Sequence, residues 1–124
     1  MSEIEVIKIA DKINRIGAEI RARLKGLKAA IDKAAQAEAE YDKAIAITMA
    51  MLEAGTEYKL DDKVIKDIGT SNREKLAKGL CWAQRCTFLQ AQNTYKGLLV
   101  QIRALEQMQS GQQSIFSKLE QMAK

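Results

Sequence analysis

The stretch that decides the fold is residues 9–34, IADKINRIGAEIRARLKGLKAAIDKA. Ile9, Ile13, Ile16, Ile20, Leu24, Leu27, Ile31 and Ala34 recur in it at steps of three and four. That spacing lays them along one face of an α-helix, close to a heptad seam. Beyond Ile31 the line thins to Ala34, Ala35, Ala37 and Ala39, then thickens again at Tyr41, Ile45, Met49 and Leu52. Alanine lets a packed helix come close, whereas isoleucine holds it further off. Gly17 and Gly26 interrupt the pattern, each weakening the helix by up to about 1 kcal/mol, and mark a bend or a close backbone contact.

Working outward, Ser2 and Glu5 form a capping box that starts the first helix, and Gly55 supplies a left-handed stop. A helix over residues 3–54 is expected between them. Residues 56–71 are the one real interruption. Within them Asp61 reads as an N-cap, Leu60 and Ile65 as its hydrophobic staple and Gly69 as a stop, so a short helix is expected over 61–68. Ser71 and Glu74 form another capping box, opening a long helix over 72–108. Leu76, Leu80, Ala83, Ala91, Leu98, Ile102 and Leu105 share its face, with Phe88 and Tyr95 beside that line. Ser110-Gly111 reads as a break, and Ile115, Phe116, Leu119 and Met122 as a C-terminal helix over 112–123.

Composition agrees with an all-α chain. Among 124 residues there is no proline and only 5% aromatic, while 47% are hydrophobic and 29% charged. Proline, the commonest helix breaker, is nowhere to stop a helix. A β fold would need more aromatic and β-branched residues. The expected architecture is a single domain: a long antiparallel helical hairpin with a short helix at its tip. Two helices of about fifty residues would each reach roughly 75 Å. A lone hairpin leaves half of each apolar stripe wet, at roughly 1.5–3 kcal/mol per large side chain. A homo-oligomer, a dimer for preference, buries those stripes in a helical bundle.

The same composition narrows the chemistry. There is no histidine, so the commonest general base and zinc ligand is missing. No phosphate-cradling glycine loop or nucleophile elbow occurs. The expectation is a non-enzymatic protein without cofactor or metal. Cys81 and Cys86 lie five apart, suiting neither a redox pair nor a zinc site, and read as core-facing or half-buried thiols. MSEIEVIK lacks a secretory signal's apolar core and no window approaches a membrane span, so a cytoplasmic protein with no membrane partner is expected.

The net charge of +4 conceals a pattern. Residues 8–33 hold eight basic and three acidic side chains; 34–62 hold two and seven; 63–103 hold eight and two. The acidic end of the first helix is expected beside the basic start of the last. In the first block Asp11 sits four before Arg15 and Glu19 four before Arg23, in helical pairing positions. Arg21, Lys25 and Lys28 are left on one face, answered only by Asp32. They read first as solvated surface, with a phosphate-facing patch as the functional alternative. Trp82, with Arg85 three residues on and able to stack on the indole, reads as a protein anchor or as the margin of the core.

Ala39-Glu40-Tyr41-Asp42-Lys43-Ala44-Ile45-Ala46, Met51-Leu52-Glu53-Ala54-Gly55 and Val64-Ile65-Lys66-Asp67-Ile68-Gly69 occur in that order. Lys78-Gly79-Leu80-Cys81, Tyr95-Lys96 and Ile102-Arg103-Ala104-Leu105-Glu106 come after them. Together, over residues 39–108, they resemble a group of small helical proteins of phages and prophages of Gram-positive bacteria. Such proteins are often encoded near recombination and single-strand-binding genes. The chain departs from the pattern at Gly69-Thr70-Ser71, where the group has Ala-Arg-Gly. The resemblance implies a phage accessory protein in the bacterial host cell. It implies no catalytic activity.

Three functions are in play. The first is a phage-type accessory that binds another protein, such as a host defence or DNA-processing factor, through Tyr58, Lys63, Lys66, Arg73, Trp82 and Arg85. The second is a nucleic-acid-binding accessory of phage recombination or replication that uses Arg21, Lys25 and Lys28. The third is an oligomeric sponge for a small nucleotide ligand.

Overall fold

The computed structural model describes residues 3–65 and 69–123. In chain order it contains α1 (Glu3–Glu53), β1 (Tyr58–Leu60), β2 (Lys63–Ile65), α2 (Thr70–Leu80) and α3 (Trp82–Ala123). The chain is all-α apart from that small sheet. Its main feature is a long helix packing on another.

Helix α1 runs unbroken from Glu3, with Glu3 and Glu5 favourably placed at its positive end. Ser2, the expected cap, lies outside the described residues. At the other end Gly55 adopts φ 83°. Its N–H bonds the Leu52 carbonyl at 3.1 Å and the Thr56 N–H reaches back to Met51 at 3.0 Å. These two bonds are the Schellman pattern that closes a helix on a left-handed residue.

The expected short helix at 61–68 is not formed. Tyr58–Leu60 and Lys63–Ile65 pair as an antiparallel hairpin, in the register Tyr58↔Ile65, Lys59↔Val64, Leu60↔Lys63. Asp61 and Asp62 make the two-residue turn, both with positive φ, 48° and 67°. Such a type I′ turn matches the twist of the strands it joins. Aspartate tolerates the left-handed region better than most residues, so Asp61 serves as a turn residue instead of a helix cap. Residues 66–68, the rest of that expected helix, lie outside the described residues.

The Ser71–Glu74 capping box is also overturned. Helix α2 starts at Thr70 with Gly69 as its N-cap, and no side chain caps it. Glu74 points forward instead, pairing with Lys78 at 3.2 Å. The expected continuous helix over 72–108 is interrupted at Cys81, whose φ −93°, ψ 25° lies off the helical values. Backbone bonds still cross the joint, Cys81 N–H to Ala77 at 2.9 Å and Arg85 N–H to Cys81 at 3.0 Å. Ser110-Gly111, expected as a break, lies inside α3. One glycine costs a helix only about 1 kcal/mol. Half-buried Gln109, Gln112 and Phe116 with buried Leu119 continue the packed stripe through it.

The chain forms two compact units, Met1–Ala30 with Thr94–Lys124, and Ile31–Asn93. In the first, α1 packs on α3 through large aliphatic side chains, with Ile16 5%, Ile102 4% and Leu119 9% exposed. Burial on α1 recurs at Ile9, Ile13, Ile16, Ile20, Arg23, Leu27 and Ala30. This corrects the expected stripe, because Leu24 and Ile31 are exposed while Arg23 and Ala30 take their places. Arg23 Nε donates to Gln101 Oε1 at 3.2 Å. Gln109 Nε2 donates to the Ile13 carbonyl at 3.4 Å. Gly17 is buried, and a Cβ there would stand 3.1 Å from Gln109 Nε2, so it is a close-contact position; Gly26 meets nothing within 4 Å.

In the second unit the buried side chains are small: Ala34, Ala37, Ala77, Ala91 and Cys81. Tyr41 stacks on Phe88 with ring centroids 6.1 Å apart. The buried Thr48 hydroxyl lies 3.4 Å from Cys81 Sγ, and Arg73 Nη1 lies 3.9 Å from Glu53. Phe88 is therefore on the packed line rather than beside it, and Ala83, expected on that line, is exposed.

Candidate functional site

Two faces carry the residues singled out from the sequence, one in each unit. In the second unit Trp82 opens α3 and is 62% exposed. Arg85, Cys86 and Leu89 lie three, four and seven residues on, all exposed. These steps put the four side chains on one helix face, turned away from buried Cys81 and Ala91. Among the described residues Arg85 makes no stacking contact with Trp82, contrary to expectation. Cys86 is a free exposed thiol, not the half-buried one expected, whereas free Cys81 is buried.

The remaining residues of the expected protein-binding surface are placed differently. Tyr58 is half-buried on β1 and donates its hydroxyl to Met51 Sδ at 3.1 Å. Lys63 is exposed on β2. Arg73, on α2, is drawn toward Glu53, with its Nε buried and without a hydrogen-bond partner. Lys66 lies outside the described residues. No hydrogen bond or ring contact among the described residues joins Tyr58 or Lys63 to Trp82 or Arg85.

In the first unit Arg21, Lys25 and Lys28 are all exposed, on the outward side of α1. The expected Glu19–Arg23 pair forms at 3.9 Å. The expected Asp11–Arg15 pair does not close; both residues line a shallow outward depression with Asn14 and Ala18. Arg15 thereby joins the free cations.

Among the described residues no group of three or more His, Cys, Asp or Glu side chains converges as metal ligands would. No described helix is long and apolar enough to cross a membrane. A small cavity of about 170 Å³ in the second unit is lined by Ala37, Glu40, Ala83, Gln84 and Thr87. Comparison with protein-family models, curated proteins and solved structures finds no match.

Sequence reasoning missed Leu89 and Cys86 as companions of Trp82. The signal was there in the seven-residue step from Trp82 to Leu89, which repeats one helix face.

Proposed function

We propose that the chain is a non-enzymatic, phage-type accessory protein that works by binding another protein through the Trp82 face. The observation that carries this reading is the exposed set Trp82, Arg85 and Leu89 at i, i+3 and i+7. Helices that dock in a partner's groove present anchors at these steps. Tryptophan and arginine dominate the energetics of such contacts. Beneath this lies the antiparallel hairpin, paired with a second copy into a bundle. Large apolar side chains stay exposed on both long helices, Ile7, Ile47, Val100 and Ile115 among them, and a standard interface takes about 800 Å² from each partner.

Cys86 offers a test, because its free thiol lies on the same face. A photo-crosslinker attached there, with Cys81 buried and spared, should capture a protein from host extract. Trp82→Ala/Leu89→Ala should abolish the capture without changing helicity. Equal capture by the two proteins, or none, would refute the reading. Light scattering across concentrations tests the pairing separately, with a dimer mass expected.

A further inference from the structure

We infer that the outward face of α1 in the first unit binds the phosphate backbone of duplex nucleic acid. The two units divide the charge unequally. Met1–Ala30 with Thr94–Lys124 holds eleven basic and six acidic side chains, net +5, while Ile31–Asn93 holds nine and ten, net −1. The excess is focused further on α1. Glu19 is committed to Arg23, which in turn is held by Gln101, while Asp11 lines the depression beside Arg15 and Asp32 lies four residues beyond Lys28, so eight basic side chains stand against three acidic ones over residues 8–33. Arg15, Arg21, Lys25 and Lys28 remain exposed with no ion-pair partner among the described residues.

These four share the outward half of α1. The buried side of α1 is set here by Ile16, Ile20, Arg23 and Leu27. At 100° per residue, Lys25 lies opposite that side, with Arg21 and Lys28 on one flank and Arg15 on the other. From Arg15 to Lys28 they span roughly 20 Å of helix. Among the cations the outward positions are Asn14, Ala18, Ala22 and Ala29, all exposed and short, with exposed Leu24 on the flank beside Arg21 and Lys28, so a polyanion can approach the middle of this face closely.

The occupant is set by charge and shape. Roughly 20 Å of duplex presents about twelve phosphates, a linear density no acidic protein surface matches. No aromatic side chain stands on this face, so stacking of unpaired bases has no platform, which favours duplex over single strand. A membrane-binding helix sets a continuous stripe of large apolar residues against its cations, whereas here one such residue, Leu24, stands exposed beside Arg21 and Lys28 and the rest of the face is alanine and Asn14. The contacts reach phosphates alone, so binding is independent of sequence.

The test is fluorescence anisotropy of a labelled 20-base-pair duplex titrated with the full chain at 50 and 200 mM NaCl. Four phosphate contacts predict a log–log salt slope of about −3.6, a weakening of roughly 150-fold between the two salts. Arg15→Gln/Arg21→Gln/Lys25→Gln/Lys28→Gln should abolish that steep component. Lys33→Gln/Lys43→Gln/Lys59→Gln/Lys75→Gln, which removes the same charge from the second unit, should keep the wild-type slope. Equal loss in both variants would reduce the effect to net charge and overturn the assignment. Absence of binding at 50 mM overturns it too, as would tighter binding to a 20-nucleotide single strand or to vesicles of anionic lipid.

Discussion

Gly55→Ala and Gly111→Ala make the same chemical change and should move stability in opposite directions. Neither glycine has an atom within 4 Å of where the new methyl would stand, so packing drops out of the comparison. The difference lies in the backbone. Gly55 holds φ 83° at the end of α1, where an L side chain costs roughly 1–2 kcal/mol. Loss of freedom in the unfolded chain returns about 0.4–1 kcal/mol, leaving a net destabilisation of about 1 kcal/mol. Gly111 sits inside α3, where alanine gains about 0.8–1.0 kcal/mol. The gap of about 2 kcal/mol should separate the two melting temperatures by roughly 8 °C in a chain of this size. The assay is thermal unfolding monitored at 222 nm, at one fixed protein concentration, since self-association would otherwise shift the midpoints. A Gly55→Ala protein that melts above wild type would show that α1 does not end in the left-handed turn. A Gly111→Ala protein that melts below it would show that α3 breaks there.

Three further outcomes are expected. Ellman's reagent should label one thiol rapidly in the native protein, Cys86, and reach the second, Cys81, only on addition of denaturant; two fast thiols would contradict the packing around Thr48. Asp61→Asn/Asp62→Gly suits the two positive φ angles better and should stabilise the small sheet by about 0.5–1 kcal/mol, read as slower exchange of its strand amides. Ile102→Ala, at 4% exposure, should lower stability by about 2–4 kcal/mol in denaturant melts. Val100→Ala, at 65% exposure, should change it by less than about 0.5 kcal/mol at concentrations where the chain is a single copy.

The helical character was legible because its signals are local and repeated: apolar steps of three and four, no proline, and Gly55 at a stop. The small sheet was hidden by a real ambiguity at Asp61. A short polar side chain suits an N-cap and a left-handed turn alike, and Leu60 with Ile65 imitates a staple. The deciding feature was the fit of Tyr58-Lys59-Leu60 against Lys63-Val64-Ile65 across two residues, which demands a partner strand rather than a local pattern. The displaced stripe has a different cause. Tracing the largest residues leads from Ile20 through Leu24 and Leu27 to Ile31. A seam that repeats every seven residues passes instead through Arg23 and Ala30. Arginine is admitted because its aliphatic stem packs while the guanidinium reaches Gln101. Exposure of Arg21, Lys25 and Lys28 could be read directly, since all three lie off the line of isoleucines that marks the packed side. Arg15 could not, because a helical i, i+4 spacing permits the Asp11 contact without enforcing it.

The seven-residue repeat also limits how this protein can change in length. In the first unit Ile16 on α1 and Ile102 on α3 are both buried in the packing between those helices. Deleting or inserting seven residues rotates the remainder of the helix by only about 20°, so the apolar side stays facing inward. Three or four residues shift the phase further, and most other numbers swing the buried row toward water. A change of seven on one helix alone still leaves its partner about two turns too long or too short, roughly 10 Å of seam with nothing opposite. Insertions and deletions in the first unit should therefore survive as matched pairs, seven residues in α1 with seven in α3, whereas the Asp61-Asp62 turn can vary without disturbing either helix.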